Sequence, residues 1–375
     1  MEPVGYDRKR ASEILDRLGI DVLVASTDVN VFYTTGLPTL RVAENPILWV
    51  LKNQFPFLSL VRKDGELSLF YWMVYASIAK SSWVKDANGI VSPQQALQGI
   101  FDKITEWGAA SGKVIGLESH MPRYQSEFLR SKFPGAMFVE GDDAFLQMRL
   151  VKSQEELRRI KRSTEVAESA IHAVIDEVHE RITDNEILEI AREKMIELGA
   201  AGWDHLTLGI GSSDPEAPGI GTKLTKGDLS RIDVGAVWQG YVSDVSREFV
   251  LGTIPDGAQE VMDRMIRVQE FCVDELKAGA MPSDILKAAT DFHKTLKKGV
   301  RPFITCHSLG LECEELQMFS PMRTAGIPFR ENMVVDIEVW QPFRDYGLVG
   351  IEDCYRVTTS GCERISGLEK SIFVR

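Results

Sequence analysis

The stretch that decides the fold of the C-terminal half is residues 232–245, with the sequence IDVGAVWQGYVSDV. Two apolar runs flank Gln239-Gly240, and this pattern predicts two antiparallel strands joined by a tight turn. In a hairpin, the residue numbers of any two opposed residues add up to the same value. A turn centred between residues 238 and 239 therefore places Asp233 opposite Asp244. Their Cβ atoms would then lie about 4.5–5.5 Å apart. Two carboxylates at that distance repel each other strongly.

A second predicted hairpin repeats this arrangement further along the chain. Residues 333–340 (MVVDIEVW) and 348–355 (LVGIEDCY) flank a turn, and a turn centred on Asp345 places Glu338 opposite Glu352. A carboxylate in an apolar strand is costly unless it is paired or binds a cation. Two mirrored pairs of acids therefore predict two divalent cations, and the repetition indicates an internal pseudo-twofold. Surface acids on half-exposed strands, or unrelated salt bridges, are the alternative interpretation.

A histidine lies between the two hairpins in the sequence. His307 is part of residues 305–312 (TCHSLGLE), where small neighbours allow a ligand to approach closely. Oxygen ligands together with one imidazole suit Mn, Co, Zn or Fe. A structural role is the alternative for a single histidine.

The rest of the chain divides into two regions with different patterns. Residues 1–150 alternate short apolar runs with helical spacing, which is typical of a sheet with helices on its faces. The runs at residues 21–26 and 29–34 are predicted as strands, and a hairpin is predicted around residues 63–65. From Ser153, a capping-box pattern opens a long amphipathic helix, and strands, helices and strands follow. We therefore predict an α/β domain at residues 1–150 and an α+β domain at residues 151–375.

Charge and cysteine content limit the classes of function. The formal net charge is -12, which argues against nucleic acid or an anionic membrane as the main partner. No apolar run is long enough to span a membrane, and the N-terminus lacks the apolar core of a signal peptide. The five cysteines form no CxxC pair, so a reducing, cytoplasmic location is the simplest prediction.

Taken together, these segments resemble the pita-bread metallopeptidase superfamily, which includes methionine aminopeptidase, prolidase, aminopeptidase P and creatinase. Residues 30–37 (NVFYTTGL) and 150–153 (LVKS) resemble the N-terminal domain and the domain junction of the last three, a domain that methionine aminopeptidase lacks. The residues that match the patterns of the superfamily's catalytic domain are Asp233, Gly235, Gly240-Tyr241, Asp244 and Arg247, then His307, Gly310, Leu311 and Glu312, then Ile337-Glu338, and finally Ile351-Glu352-Asp353.

The resemblance implies a pita-bread catalytic domain after a smaller creatinase-type N-terminal domain, and a homodimer as the usual assembly. It also implies two divalent ions held by Asp233, Asp244, His307, Glu338 and Glu352. Asp244 and Glu352 would bridge both ions, and Glu338 would also handle the proton of the attacking water. The implied reaction is hydrolysis of a small peptide or amide bond, of the Xaa-Pro kind.

Further residues are candidates for the same site. His205 could supply a second, catalytic imidazole, with a structural loop histidine as the alternative. Asp336 shares a strand face with the predicted ligands, so we predict it as a substrate-binding or supporting acid, or else a plain salt-bridge partner. Arg323 is predicted to reach the substrate, as are Arg41 and Trp49, with surface or packing roles as the alternative.

The sequence also departs from the peptidases of this superfamily at positions that normally bind substrate. Phe303 stands where a histidine is usual, Pro218 occupies the place of another histidine, and Gly350 stands where many prolidases have arginine. Losing these groups weakens stabilisation of charge on an ordinary peptide. Two other hypotheses therefore stay open: a non-peptidase hydrolase or lyase, like creatinase or the lyase of a sulfonium compound, and a binding protein without catalysis.

Overall fold

The computed structural model describes residues 2–38, 54, 56–109, 111–211, 216–343 and 347–375. Arg41, Trp49 and Asp345 lie outside the described residues. The chain forms two compact units, Met1–Glu155 and Glu156–Arg375. Among the described residues, none of the helices combines the length and apolarity that a membrane crossing needs.

The N-terminal unit contains a six-stranded mixed sheet of order β4-β3-β2-β1-β5-β6. The predicted hairpin around residues 63–65 is confirmed, because β2 and β3 pair in antiparallel register on either side of it. The elements of this unit are α1 (Arg8–Leu18), β1 (Val22–Ala25), α2 (Asp28–Thr35), β2 (Leu58–Arg62), β3 (Leu67–Trp72), a 3-10 turn (Met73–Tyr75), α3 (Ala76–Ala79), β4 (Asp86–Ile90), α4 (Pro93–Glu106), β5 (Val114–Leu117), α5 (Arg123–Lys132), β6 (Met137–Glu140) and α6 (Asp142–Leu150).

The strand prediction for residues 29–34 is wrong, because this segment forms helix α2. The Thr27 side chain caps the helix by accepting from the Asn30 N–H, and Gly36 ends it in a left-handed conformation. The buried Glu118 carboxylate accepts hydrogen bonds from the hydroxyls of Ser26 and Thr27 at 3.0 and 2.6 Å. A partner about ninety residues away in sequence therefore fixes the start of the helix.

The C-terminal unit places helices against two sheets, of order β16-β10-β8-β7, with β9 beside β8, and β12-β11-β13-β14-β15; all of these strand pairs are antiparallel except β10 with β16. This architecture confirms the predicted α+β class. Its elements are α7 (Gln154–Glu177), α8 (Asp184–Glu197), β7 (Gly202–Ile210), β8 (Leu229–Trp238), β9 (Tyr241–Val242), β10 (Val245–Val250), α9 (Ala258–Glu275), α10 (Pro282–Leu296), β11 (Phe303–Ser308), β12 (Leu316–Phe319), β13 (Val334–Pro342), β14 (Leu348–Val357), β15 (Cys362–Arg364) and β16 (Phe373–Val374).

Apolar packing fixes which face of each sheet carries polar side chains. Val174 of α7 and Leu188 of α8 belong to one buried cluster with Ile232 and Val234 of β8. On the second sheet, helix α9 packs against strands β13 and β14, and its Gln269 donates to the backbone oxygen of Ile337 at 2.9 Å. Side chains alternate along a strand, so residues 231, 233 and 235 of β8 lie on the face away from the cluster residues.

Candidate metal centre

The register of the first hairpin differs from the prediction. Trp238 pairs with Tyr241, and Asp233 pairs with Ser246, so Asp233 is not opposite Asp244. The turn consists of Gln239 and Gly240, both with positive φ, at 48° and 89°. Such a two-residue turn matches the twist of the strands and moves the centre of the hairpin one residue along the chain. Asp244 precedes Ser246 by two positions, so both acids still lie on one face of the sheet.

The register of the second hairpin confirms the prediction. Glu338 of β13 pairs with Glu352 of β14, and Thr305 of β11 pairs with Glu338 on the other side. Glu352 is 2 % exposed and Glu338 is half-buried. The two carboxylates therefore face each other in the middle of the sheet.

His307 lies beside acids of both hairpins. Its Nε2 is 3.7 Å from Asp244 Oδ2 and 3.6 Å from Glu352 Oε1. Its Nδ1 is 3.1 Å from the backbone oxygen of Cys313. A proton on Nδ1 would be donated to that carbonyl, leaving the Nε2 lone pair directed at the acids, as in a metal-ligating histidine.

His205 enters the same group of acids from β7. It pairs with Gly235 of β8, and a Cβ at that glycine would overlap the imidazole ring. Its Nε2 lies 3.3 Å from Asp233 Oδ1 and 3.1 Å from Asp244 Oδ1. Burial alone would lower the pKa of His205, but Asp244, then Asp204 and Asp233, outweigh burial and raise the pKa well above its ordinary value. The structure therefore brings His205 to the predicted ligands, while a catalytic role stays a prediction.

Asp233, Asp244 and Glu352 are buried and Glu338 is half-buried, so the alternative of surface acids is wrong. Asp233 is 7 % exposed and Asp244 4 %. Burial, reinforced mainly by the Asp244 carboxylate, raises the pKa of Glu352 well above its ordinary value. Burial also raises the pKa of Glu338 to about 7, with Arg231 opposing the shift and Asp233 adding to it. Burial and mutual repulsion therefore make the ionised forms of Glu338 and Glu352 costly when no metal ion is bound.

The donor atoms fit divalent ions. Four sets of described side chains each offer donor atoms within 4.8 Å of one another: Asp233, Glu338 and Glu352; His205, Asp233 and Asp244; Asp244, His307 and Cys313; and Asp204, His205 and Cys313. Asp233 Oδ1 and Glu352 Oε2 are buried without a hydrogen-bond partner, as expected of oxygens that coordinate a cation. Carboxylate and imidazole donors suit Mn, Co, Zn or Fe.

The two predicted substrate-contacting residues within the described chain have different surroundings. Asp336 pairs with His307 and with Cys354, and it is 0 % exposed. Burial, together with Asp244, raises the pKa of Asp336 well above its ordinary value. Full burial favours a supporting acid over direct substrate contact. Arg323 is exposed on the loop after β12, where its backbone N–H donates to Ser320 Oγ at 3.2 Å, and its contact with substrate stays a prediction.

Two site residues were missed by sequence reasoning. Arg231 is 3 % exposed, and its guanidinium lies 3.2 Å from Asp233 Oδ2 and 2.5 Å from Glu338 Oε1. It stands two residues before Asp233 in the same strand, so strand alternation could have placed it on the same face. Cys313 donates its thiol to Asp244 Oδ2 at 2.8 Å. Cys313 directly follows residues 305–312, the segment from which His307 was predicted as a ligand, and no sequence pattern marked the cysteine itself.

Two of the three positions that depart from the peptidase pattern, Phe303 and Gly350, lie in an uncharged row beside the acids. Phe303 pairs with Trp340, which pairs with Gly350, next to the row that contains Glu338 and Glu352. The Phe303 and Trp340 rings stack at 4.7 Å and 20°. A Cβ on Gly350 would collide with the Cβ of Trp340, so this position has no room for a side chain unless its neighbours move. Pro218 is exposed on the loop after β7.

Buried carboxylates and imidazoles that converge from two sheets on one place are typical of metal-dependent hydrolases. Residues 158–359 match the profile of Metallopeptidase family M24, and residues 8–151 match the Creatinase/Prolidase N-terminal domain. The chain belongs to metallopeptidase family M24, whose members use divalent metal ions, and it is a hydrolase of that family. This confirms the resemblance inferred from the sequence motifs.

Known relatives match the chain over nearly its whole length. The Xaa-Pro dipeptidase of Pyrococcus horikoshii is 25% identical, with 97% of each chain covered. The Xaa-Pro dipeptidase of Pyrococcus furiosus is 27% identical over 277 residues, which is 72% of this chain and 78% of the relative. The crystal structure of X-Pro aminopeptidase from Thermotoga maritima superposes with a TM-score of 0.79 at 22% identity, covering 96% of this chain and 99% of that chain. At this identity the superposition shows the fold alone, namely a creatinase-type N-terminal domain before a pita-bread domain.

Proposed function

We propose that this protein cleaves a peptide or amide bond of the Xaa-Pro kind in a small substrate, using two divalent ions. The observation that carries the proposal is the convergence of Asp233, Asp244, His307, Glu338 and Glu352 from two sheets into one buried group. The Xaa-Pro dipeptidases among the relatives support the substrate class. Mn, Co, Zn and Fe are all compatible with the donors.

Each predicted ligand has a proposed role that its position supports. Asp233 would hold one ion, His307 and Glu338 the other, and Asp244 and Glu352 both. When bound, the ions would supply Lewis-acid activation of water and of the scissile carbonyl. Glu338 is half-buried in the same group of acids and would also handle the proton of the attacking water.

The stacked Phe303–Trp340 pair favours a substrate that presents an uncharged group beside the acids. A carboxylate placed there would lose hydration without gaining a cation from these two residues or from Gly350. The same observation supports the second candidate function, a non-peptidase hydrolase or lyase acting on a small molecule at the same ions.

The test combines metal analysis with a substrate panel. Protein reconstituted with Mn²⁺ or Co²⁺ is given an Xaa-Pro dipeptide, its C-terminal amide and a dipeptide without proline. We expect cleavage of the Xaa-Pro compounds, and loss of both metal uptake and turnover in Asp244→Ala. Asp263→Ala removes an exposed helix acid in the same unit and serves as the matched control.

The outcomes separate the three hypotheses. Metal uptake without cleavage of any peptide supports the non-peptidase function. A purified chain that takes up no divalent ion contradicts both enzymatic functions and supports the binding protein. Assembly as a homodimer stays a prediction from the resemblance, and sedimentation analysis of the purified protein would test it.

A further inference from the structure

Cys313 lies beside the predicted metal ligands, on the segment between β11 and β12, and it is half-buried. Its Sγ is 2.8 Å from Asp244 Oδ2, to which the thiol donates. That carboxylate oxygen is in turn 3.7 Å from His307 Nε2. Sulfur, oxygen and nitrogen donors therefore converge at one place inside the group of acids.

Hydrogen bonds of the segment hold the cysteine in this position. His307 Nδ1 is 3.1 Å from the backbone oxygen of Cys313, so the residue that supplies the thiol also orients the imidazole. The Glu315 N–H donates to the Ser308 backbone oxygen at 3.0 Å, and the Leu311 N–H donates to Glu315 Oε1 at 3.2 Å. These bonds close the short segment on itself, so a constrained loop presents the sulfur to Asp244.

The surrounding donor atoms indicate a cation at this place independently of the cysteine. His205 Nε2 and Asp233 Oδ1 lie 3.3 Å apart, and both atoms are buried without a hydrogen-bond partner. Asp233 is more than nine-tenths buried, as are Asp244 and His307. Buried polar atoms normally have a partner, and an ion would provide one. The Cys313 sulfur lies within 4.8 Å of donor atoms of Asp244 and His307, so it can reach an ion that these two residues hold.

We propose that the Cys313 thiolate is a further ligand of the ion that His307 and Asp244 hold. The inference rests on the proposed function, because it concerns an ion of the same centre. On coordination, the sulfur exchanges its bond to hydrogen for a bond to the metal, and the proton is released to solvent. The sulfur then takes a coordination position that water would otherwise fill.

A sulfur ligand changes which metal the centre selects. Carboxylates and water suit Mn²⁺, whereas a thiolate is a softer donor that favours Zn²⁺. With bond lengths of about 2.0–2.3 Å, the donors of one zinc ion lie roughly 3–4 Å apart. The separations of 2.8 and 3.7 Å on either side of Asp244 Oδ2 are close to that range. The geometry therefore favours zinc over manganese at this ion.

The test is absorption spectroscopy of chelator-treated protein loaded with Co²⁺, with no substrate present. Cobalt bound to a thiolate shows a sulfur-to-metal charge-transfer band in the near ultraviolet, which oxygen and nitrogen ligands do not produce. We expect this band in the wild type and its loss in Cys313→Ser, whose hydroxyl can still donate to Asp244. Cys362→Ser is the matched control and should keep the band, because Cys362 is also half-buried but its sulfur contacts the backbone oxygen of Val273.

Competition between metals tests the selectivity. Zn²⁺ is titrated into Mn²⁺-loaded protein, and metal analysis gives the ratio of the two affinities. Cys313→Ser should lower the preference for Zn²⁺ by at least about tenfold relative to the wild type, while Cys362→Ser should keep the wild-type ratio.

X-ray absorption of the Zn²⁺-loaded wild type needs no variant, so it keeps the inference testable if Cys313→Ser folds poorly. We expect a sulfur neighbour at about 2.3 Å from zinc. Averaged over both ions, its amplitude should correspond to about half a sulfur per zinc, because only one ion has this ligand.

The outcomes distinguish the inference from the proposed function. Bound metal with only oxygen and nitrogen neighbours in the wild type, or an unchanged cobalt band in Cys313→Ser, would overturn the inference and leave the proposed function standing. A wild-type protein that binds neither Co²⁺, Zn²⁺ nor Mn²⁺ would overturn both.

Discussion

Replacing Glu248 by glutamine should change how the stability of the protein depends on pH. Glu248 lies on β10, 0 % exposed, with Oε1 accepting the Gly350 N–H at 3.1 Å and Oε2 without a hydrogen-bond partner. Burial, opposed in part by Arg231, raises its pKa from 4.5 to about 8. Glutamine has the same shape and can still accept the Gly350 N–H, so the substitution mainly removes the ionisation.

The sign and size of the effect follow from proton linkage. The folded pKa of Glu248 lies above the unfolded value, so the folded protein keeps this proton while the unfolded chain releases it. The resulting stability is fully present below the unfolded pKa and is lost as pH rises through the window from 4.5 to about 8. A shift of this size corresponds to at most about 5 kcal/mol, and roughly 4 kcal/mol of it falls between about pH 5 and pH 9.

Urea unfolding of metal-free wild type and Glu248→Gln at about pH 5 and pH 9 measures the effect. The variant should be close to the wild type in acid and more stable than the wild type in base, by up to about 4 kcal/mol. Glu331→Gln, at an exposed position, controls for the loss of one carboxylate. Parallel pH profiles for the wild type and Glu248→Gln would refute the assignment of a raised pKa to this side chain.

Two further substitutions test how the site is positioned. Gly235→Ala puts a Cβ into the space of the His205 ring. We therefore expect turnover to fall by at least about tenfold, and the free energy of unfolding to fall by about 1–3 kcal/mol. Unchanged turnover would exclude a catalytic role for His205. Arg247→Met removes a fully buried guanidinium bonded to Asp353 Oδ1 at 2.6 Å and to the Glu352 carbonyl at 2.7 Å. Urea unfolding should show a loss of about 3–5 kcal/mol, and a loss below about 1 kcal/mol would contradict the assigned pairing.

The tight turn shows where pattern reasoning about the hairpins fails. Two apolar runs on either side of Gln239-Gly240 predicted both strands of the first hairpin. The register depends on which two residues adopt positive φ, and Gln239 gives no strong signal for that conformation. The second hairpin has its predicted register, so Glu338 and Glu352 were paired correctly from the sequence alone.

By itself, the sequence determined the family through the resemblance of its motifs, and the α+β class through apolar periods of two or three to four residues. It also identified the acids as candidates, because they interrupt apolar strands. Only the tertiary structure decided what surrounds those acids. His205 reaches Asp233 and Asp244 because Gly235 on the neighbouring strand has no side chain. Arg231 meets Glu338 and Glu352, more than a hundred residues away, because strands of two sheets approach each other. Contacts between residues so distant along the chain leave no periodic pattern, and the fold alone brings them together.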